Sequence, residues 1–462
     1  MTNELGSVSS VCPVCLRTIR ARKTVREDGF LYLEKECPEH GFFDALLWEG
    51  DLASYLAWGD KPGRPASPAG AVPTEKGCPY DCGLCEEHLR EGCCVLLELT
   101  GKCNLHCPVC FASAGEGENG KEPGLGEIGR LYDMLMARGG PFNIQLSGGE
   151  PTLREDLAEI IALGREKGFR FFQLNTNGVR IAEEDGYASR LADAGVSCVF
   201  LQFDGMRDSD YEALRGQPLL SKKLRAVENC GKAGLPVVLV PTIVPGINED
   251  SMGGILDFAL SHAPRVRGVH FQPVSYFGRC SFRPHRQGRI TIPRMLLGIE
   301  EQTGGRMRAG DFKGGGAESP YCSFHAAYRL GKDGSLKPLA KRGNCCCGTA
   351  APAADASPAS CCSEEKIVNS SEARDFVARQ WGAQACSGAA VDGTEASSLD
   401  AFLEEAVRQT FTVSGMLFQD AWNLELGRLK RCYICEADPE RGMVPFCAYN
   451  LTDAQGRALY RK

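Results

Sequence analysis

Short apolar runs alternate with amphipathic segments through the middle of the chain, from about residue 94 to residue 275. Segments such as EIGRLYDMLMARG and LREDLAEIIALGREKG carry apolar residues at helical spacing. The runs between them predict six strands: VLLELTG (95–101), FNIQLSGG (142–149), FRFFQLNTNG (169–178), CVFLQFDG (198–205), PVVLVPTIV (236–244) and GVHFQPV (268–274). Six strand–helix units in series predict an α/β fold, a partial (β/α)6 barrel of parallel strands covered by outer helices.

Three further regions flank this barrel. Residues 1–60 hold two short-spaced cysteine motifs around a strand-like FLYLEKE, and predict a small metal-binding domain. Residues 61–93 combine a Pro/Gly/Ala-rich linker with a second cysteine segment. Residues 276–462 are less regular and cysteine-rich, with a low-complexity insertion near 345–400. We therefore predict domains at 1–60, 61–93, 94–275 and 276–462.

Composition narrows the possible classes. The chain has 462 residues, 43% hydrophobic and 24% charged, which is typical of a globular protein. Its net charge of −7 argues against a nucleic-acid binder. We find no charge-free stretch long enough to cross a bilayer and no signal-peptide core, so we expect a cytoplasmic protein without a transmembrane segment. Peripheral contact with a membrane stays open.

The chain contains 24 cysteines, and many of them fall in clusters such as CPVC, CPYDCGLC and CNLHCPVC. Such short spacings place sulfurs around a common metal more readily than they form disulfides. The sequence therefore predicts several metal sites in a reducing compartment. It also predicts that the source organism is an anaerobe.

The loop after the first barrel strand carries Cys103, Cys107 and Cys110 with the spacing C-x3-C-x2-C. A [4Fe–4S] cluster normally takes four thiolates, so three leave one iron open to a ligand. Zinc is the alternative for the triplet alone. One strand–helix unit later comes a second motif: Gly148, Gly149, Glu150 and Pro151.

Together these motifs resemble those of the radical S-adenosylmethionine (SAM) superfamily. The resemblance implies a radical SAM barrel in which SAM binds the open iron, is cleaved reductively and yields a 5′-deoxyadenosyl radical. It also implies that Glu150 accepts hydrogen bonds from the SAM ammonium. Further strand ends are then expected near SAM or substrate: Asn175, Asn177, Gln202, Asp204, Ile243 and Gly246. Each of these could equally be an ordinary capping or turn residue.

The remaining cysteine motifs predict additional metal sites. Cys12, Cys15, Cys37 and His40 are similar to a zinc ribbon or rubredoxin site, with zinc or iron bound. Cys78, Cys82 and Cys85, with Cys93 or Cys94 as a fourth thiolate, predict an auxiliary [4Fe–4S] cluster, with zinc as the alternative. His88 could add a ligand or be exposed. A second auxiliary cluster is predicted from a more dispersed set: Cys322, Cys432, Cys435 and Cys447. Cys345–Cys347 and Cys361–Cys362 have no spacing that we can assign.

The order of all these motifs resembles a cysteine-rich branch that contains the tetraether lipid synthases and their bacterial relatives. It implies hydrogen abstraction from an unactivated carbon, followed by formation of a C–C or C–S bond on a lipid-like or other anionic substrate. Arg279, Arg283, Arg286 and Arg289 could bind such an anion or form a solvated basic loop. A radical methylase of a small heterocycle or peptide and a non-catalytic iron–sulfur scaffold are the alternatives. Ferredoxin or flavodoxin is the expected electron donor.

Overall fold

A computed structural model describes residues 4–59, 67–115, 122–281, 289–316, 318–331, 333–339, 370–382 and 409–461. The N-terminal region is a four-stranded antiparallel sheet in chain order, followed by one short helix: β1 (Glu4–Val11), β2 (Thr18–Val25), β3 (Leu31–Cys37), β4 (Gly41–Trp48) and α1 (Leu52–Trp58). Cys12 and Cys15 occupy the β1–β2 turn, whereas Cys37 ends β3 and His40 lies in the β3–β4 turn. The two turns therefore lie at the same end of the sheet.

All six predicted barrel strands are present, and they form a parallel sheet in chain order. Their bounds are β5 (Cys94–Glu98), β7 (Asn143–Ser147), β8 (Phe172–Thr176), β9 (Cys198–Gln202), β10 (Val237–Val240) and β12 (Val266–Pro273), with the short strands β6 (Val109–Cys110), β11 (Thr242–Ile243) and β13 (Arg279–Cys280) in their loops. The predicted α/β class with a parallel, partial barrel is confirmed.

The helices between these strands cover the outer face of the sheet. They are α2 (Leu125–Ala137), α3 (Leu157–Glu166), α4 (Val179–Glu183), α5 (Tyr187–Ala194), α6 (Asp208–Arg215), α7 (Leu220–Lys232), α8 (Met252–Ser261) and α9 (Ile292–Gln302). In α2 the buried side chains are Ile128, Tyr132 and Leu135, which share one face at helical spacing. Each such side chain contributes about 1.5–3 kcal/mol when it leaves water.

Strands from the C-terminal region extend both edges of the same sheet. The elements are β14 (Ser323–Leu330), β15 (Leu336–Pro338), α10 (Ser370–Trp381), β16 (Thr410–Met416), α11 (Leu426–Leu429), β17 (Ile434–Asp438), β18 (Gly442–Pro445) and α12 (Phe446–Tyr449). β16 pairs parallel with β12, and β17 pairs parallel with β5. The region that the sequence presented as irregular thus supplies both flanks of the barrel.

The N-terminal sheet contacts the C-terminal region through buried polar groups. The Lys35 ammonium is 3% exposed and donates to the Ser10 hydroxyl and the Ala421 carbonyl, at 3.0 and 2.7 Å. Lys23 forms an ion pair with Glu425 at 2.6 Å. Within the described ranges, no helix is both long and apolar enough to cross a membrane.

Candidate active site

The cysteine loop (residues 99–115) leaves the carboxyl end of β5 and carries Cys103, Cys107 and Cys110. The three side chains pack in one cluster and line one cavity. Burial raises the pKa of the Cys103 thiol to about 12 and also raises the pKa of Cys107. Such thiols remain protonated unless a cation balances the thiolate charge, so the loop suits a metal centre.

Gly148 and Gly149 lie directly against the start of this loop. The Gly149 N–H donates to the Thr100 carbonyl at 2.7 Å, and the Glu150 N–H donates to the Lys102 carbonyl at 2.9 Å. A Cβ at Gly148, where φ is +121°, would lie 2.4 Å from the Thr100 oxygen. At Gly149 it would lie 2.1 Å from the Lys102 oxygen. Only glycine permits this approach, which fixes the loop against the end of β7.

Glu150 is 1% exposed and joins the ends of β7 and β8. Its Oε1 accepts from the Thr152 N–H and hydroxyl and from the Thr176 hydroxyl, while its Oε2 accepts from the Asn177 N–H at 2.7 Å. A carboxylate offers about four acceptor positions, so Oε2 keeps capacity for another donor. Pro151 begins a single 3-10 turn, Pro151–Leu153, rather than the α-helix itself.

Asn177 and Asn175 have different roles at the end of β8. The Asn177 amide donates to the side chain of Asn104 in the cysteine loop at 2.7 Å and accepts from the Val179 N–H, so it both holds the loop and caps α4. Asn175 lines the cavity and donates to the Gln145 side chain at 3.3 Å. Of the two, Asn175 is therefore the residue whose side chain is hydrogen-bonded to another amide that lines the cavity.

Gln202 lines the cavity directly. Asp204 does not line it, but holds a neighbouring side chain that does. Asp204 is fully buried and pairs with the Arg215 guanidinium through two contacts of 2.7 Å. Arg215 itself lines the cavity. Lys223 donates to the Gln202 side chain at 3.1 Å, and burial lowers the pKa of Lys223 to about 8. Near the end of β9 the cavity is thus lined by the Arg215 guanidinium, which Asp204 holds in place, and by the Gln202 amide.

Ile243 and Gly246 lie outside this arrangement. Ile243 is fully buried in the core, where β11 pairs with Pro273 at the end of β12. Gly246 has a φ of +73° and lines an outer groove beside α9. Neither residue borders the barrel cavity as the structure describes it.

The cavity has a volume of about 250 Å³ and lies between the cysteine loop and the strand ends. Its floor carries neutral polar side chains from neighbouring strands: Gln145, Gln173, Asn175, Gln202, His270 and Gln272. Apolar side chains from the barrel strands also line it: Leu96, Phe200 and Val240. An aromatic and aliphatic wall comes from the segments outside these strands: Phe111, Val274, Phe277, Phe418, Ile434 and Phe446. The charged side chains that line it, Glu150 and Arg215, both have buried partners within the chain. The cavity is therefore lined by both neutral polar and apolar side chains.

Comparison with known proteins identifies this arrangement. The family model described as "Radical SAM superfamily" matches residues 97–259, and that described as "HMPTM N-terminal zinc ribbon domain" matches residues 5–49. A Methanocaldococcus jannaschii protein named 7,8-dihydro-6-hydroxymethylpterin dimethyltransferase is 33% identical over 96% of this chain and 93% of its own length. The chain belongs to the radical SAM superfamily. The predicted enzyme class, [4Fe–4S] cluster and SAM dependence are confirmed with it, and the alternative of a non-catalytic scaffold is wrong.

Two further proteins match less than half of the chain. A Methanosarcina barkeri Fe-coproporphyrin III synthase is 35% identical over 40% of this chain and 45% of its own length. A crystal structure of Streptococcus suis SuiB bound to S-adenosylmethionine aligns over 46% of this chain and 47% of that one, with 13% identity and a TM-score of 0.39.

The N-terminal sheet, which precedes the radical SAM barrel, carries four potential ligands for one metal ion. The ligand atoms of Cys12, Cys15, Cys37 and His40 all lie within 4.8 Å of one another. Against the effect of burial, hydrogen bonds from the backbone N–H groups of Glu39 and His40 and from the His40 ring lower the pKa of Cys37 to about 6. Three thiols and one imidazole at this separation suit tetrahedral zinc. The predicted zinc ribbon is confirmed.

The loop that carries Cys78, Cys82 and Cys85 packs against the C-terminal region. Hydrogen bonding to Cys82 lowers the pKa of Cys78, and the nearby Cys78 and Cys85 thiols contribute to the raised pKa of Cys82. The Cys78 and Cys82 thiols are therefore hydrogen-bonded to each other, and Cys85 lies within electrostatic range of Cys82. The Cys82 N–H donates to the Tyr460 hydroxyl at 3.0 Å, which closes this loop from the C-terminal side.

Cys94 and His88, which the sequence offered as further ligands, occupy other positions. Cys94 begins β5, with its sulfur 3.7 Å from that of Cys93, and lies beside Cys435. His88 is buried, with 5% of its surface exposed, and its Nε2 is hydrogen-bonded to the Cys432 carbonyl at 2.7 Å. Burial lowers the pKa of His88 to about 4, so it is a neutral structural side chain.

The dispersed C-terminal cysteines Cys322, Cys432 and Cys447 are electrostatic neighbours in the fold. Burial raises the pKa of Cys432 to about 12, and the neighbouring Cys322 thiol contributes. Burial also raises the pKa of Cys447, with contributions from Cys432 and Cys322. The Arg428 guanidinium donates to the Cys322 sulfur at 3.2 Å. Cys435 lies on β17, is fully buried and is an electrostatic neighbour of Cys432. Cys345–Cys347 and Cys361–Cys362 lie outside the described residues.

The basic segment after β12 is structural where it is described. Arg279 donates to the carbonyls of Cys107 and Ala114, at 2.7 and 3.0 Å, and so clamps the cysteine loop. Arg289 forms a buried ion pair with Asp420 at 2.9 Å. Arg283 and Arg286 lie outside the described residues. Arg279 and Arg289 therefore both have partners within the chain.

Sequence reasoning missed part of the site. Gln145, Gln173, His270 and Gln272 sit within strands, where a polar residue at every second position is an available but weak signal. Arg215 lies at the end of α6 and gave no local signal, because only the fold brings it to the cysteine loop.

Proposed function

We propose that this chain methylates an unactivated carbon of a reduced pterin or a closely similar heterocycle in the barrel cavity. The observation that carries the proposal is the uncharged polar floor of that cavity. Similarity along nearly the whole chain to a protein named as a pterin dimethyltransferase supports the same substrate class.

The floor has hydrogen-bonding capacity to recognise the edge of a heterocycle. Gln173 donates to Asn175 at 2.7 Å, and Asn175 donates to Gln145 at 3.3 Å, so the amides hold one another in place. Each side-chain amide has two donors and one acceptor, which is more than these contacts use. His270 contacts the Ser414 hydroxyl at 2.9 Å, and burial lowers the pKa of His270 to about 4, so its imidazole is neutral. These groups match a neutral substrate with alternating donors and acceptors.

The aromatic wall is suited to exclude water from the reacting carbon. The Phe418 and Phe446 rings lie 4.4 Å apart, and the Phe111 and Phe446 rings lie 5.5 Å apart. Phe277 completes this aromatic group at 6.0 Å from Phe446. Apolar surfaces of this kind protect reactive intermediates from solvent. A planar ring would rest against them with its polar edge toward the floor.

The residues at the cavity mouth would hold the cofactors. Cys103, Cys107 and Cys110 would bind the cluster, Oε2 of Glu150 would accept from the SAM ammonium, and Arg215 would meet the SAM carboxylate. When bound, the cluster and SAM supply an adenosyl radical that removes a hydrogen atom from substrate. Asp204 holds the Arg215 guanidinium in place before SAM arrives.

The two outlying cysteine sets would carry auxiliary clusters. Cys78, Cys82 and Cys85 form one set, and we propose a [4Fe–4S] cluster there. Cys322, Cys432 and Cys447, with Cys435 beside them, form the second. Hydrogen bonding to Cys78 and burial raise the pKa of Cys82, and burial raises the pKa of Cys432 and Cys447. A metal that takes the negative charge of the thiolates offsets this effect, which supports both assignments. A second SAM would supply the methyl group and leave as S-adenosylhomocysteine, and an auxiliary cluster would donate the one electron that this transfer to the substrate radical consumes.

A hydrocarbon chain is the second candidate substrate, favoured by the aromatic wall. Radical formation of a C–C or C–S bond on a lipid would use that apolar surface. The partners of Arg279 and Arg289 within the chain give this candidate no anion-binding group among the described residues of the basic segment.

The two candidates separate in one assay. The anaerobically reconstituted enzyme is incubated with SAM, dithionite and either 7,8-dihydro-6-hydroxymethylpterin or phospholipid vesicles, with a deuterium label on the SAM methyl group. We expect labelled methyl groups on the pterin. Unlabelled pterin together with an altered acyl chain would replace the first proposal by the second.

A variant of the floor supplies the control. Gln272→Leu removes one amide from the floor at similar volume, and we expect about a 10–100-fold loss of pterin methylation, because a site built for hydrogen bonds loses that binding. Gln455→Leu makes the same change at an exposed position and should have no effect. Equal methylation by all three proteins would contradict recognition by the floor.

A further inference from the structure

A basic groove of about 780 Å³ lies on the surface between the zinc ribbon, the Cys78 loop and the C-terminal region. Five cationic side chains line it: Lys23, Lys76, Arg428, Lys430 and Arg431. Two carboxylates also line it, Glu87 and Glu425. The groove therefore has an excess of positive charge, although the whole chain has a net charge of −7. This local reversal of sign marks a surface that attracts an acidic partner.

The groove also reaches both outlying cysteine sets. Cys78 lines it directly and is partly exposed there. Arg428 lines it as well, and donates to the Cys322 sulfur at 3.2 Å. Lys430, paired with Glu87 at 2.5 Å, lies near Cys78 and Cys85 and has its pKa raised, chiefly by Glu87. A partner bound in this groove would face the thiols without passing through the barrel cavity.

A continuous packed route leads inward from these thiols. Cys82 and Cys447 belong to the same buried cluster of side chains. Phe446, next to Cys447, packs against Phe111 with ring centroids 5.5 Å apart. Phe111 follows Cys110, the last cysteine of the radical-generating loop. The groove and the radical site are thus joined by contacts that run through the proposed auxiliary centres.

We propose that this groove docks a ferredoxin-type protein, a small acidic carrier of one electron, and that reducing electrons enter the enzyme at the Cys78 edge. The transfer moves one electron from the reduced carrier into the enzyme and makes or breaks no bond. A concave basic surface complements the convex acidic face around a carrier's redox centre. Transient complexes of electron carriers bury little area, so a groove of this size is sufficient. The electron path, but not the docking, rests on the cluster proposed at Cys78, Cys82 and Cys85.

Charge reversal at the rim tests the docking. Lys76 is exposed, so Lys76→Glu changes the charge of the groove without removing a buried contact. Lys232→Glu makes the same change on the far end of α7, outside the groove, where Lys232 is 68% exposed. The dissociation constant of the full, cluster-loaded chain for an acidic [4Fe–4S] ferredoxin is measured by calorimetry. We expect Lys76→Glu to weaken binding about tenfold at low ionic strength and Lys232→Glu less than about twofold.

Salt and crosslinking give independent readouts. The difference between the two variants should shrink at about 0.5 M salt, because screening there acts over only a few ångströms. Carbodiimide crosslinks to ferredoxin carboxylates should map to Lys76 or Lys430. Equal weakening by both variants, or crosslinks confined to other lysines, would overturn the proposal. Because no substrate is present, these results are independent of whether the enzyme methylates a pterin.

Discussion

Replacing Gly149 by alanine tests how closely the glycine pair must approach the cysteine loop. The new Cβ would lie 2.1 Å from the Lys102 carbonyl oxygen, so one of the two backbones must move by about 1 Å to restore van der Waals contact. The Lys102 carbonyl also accepts the Glu150 N–H at 2.9 Å, so the movement strains that bond and displaces the residue before Cys103. Overpacking of this kind costs about 1–3 kcal/mol.

A displacement of about 1 Å at a reacting centre can reduce a rate about 100-fold, and we expect that loss in 5′-deoxyadenosine formation. The rate is measured anaerobically with SAM and dithionite, and the iron content of each preparation is determined. Gly126→Ala is the matched control, because a Cβ in that helix meets only Arg130 at 3.9 Å. Wild-type rates in Gly149→Ala, with iron unchanged, would refute the reasoning.

Two further predictions concern the metal ribbon and a buried imidazole. Cys37→Ala should remove the zinc and lower hydrogen-exchange protection in β1–β4; full protection without zinc would show that the metal is not structural. Burial lowers the pKa of His325 to about 4, so the folded state binds fewer protons than the unfolded state between about pH 4 and 6.5. Stability should therefore fall as the pH drops through that window. In urea unfolding, His325→Gln should reduce this slope by up to about 1.4 kcal/mol per pH unit, and an unchanged slope would contradict the assignment.

The barrel and its principal motifs were predictable because their signals are local. Each of the six strands lies in a short, mostly apolar segment, and the Cys103–Cys110 spacing and the Gly148–Pro151 motif lie at strand ends that the topology brings to one side. The zinc ligands were predictable for the same reason, since each turn carries two of them. Apolar periodicity and short spacing together determine these features.

The remainder depended on contacts between distant segments. β16 and β17 join opposite edges of the sheet, and nothing in TFTVSGM or ICEAD specifies which edge each one pairs with. Arg215 enters the site because Asp204 holds it there, an ion pair between the end of β9 and the last turn of α6. Cys94 was a reasonable fourth ligand by spacing, but its place at the start of β5 directs it to Cys93 and Cys435.

The most direct test of the central claim compares two cysteine variants after anaerobic reconstitution. Iron, sulfide, zinc and 5′-deoxyadenosine are measured with SAM and dithionite for the wild type, Cys107→Ala and Cys230→Ala. Cys230 is a fully buried cysteine of α7 without a metal partner among the described residues, so it controls for loss of a core thiol. We predict that Cys107→Ala keeps its zinc but forms no 5′-deoxyadenosine, whereas Cys230→Ala remains active. SAM cleavage by Cys107→Ala at the wild-type rate would contradict the account.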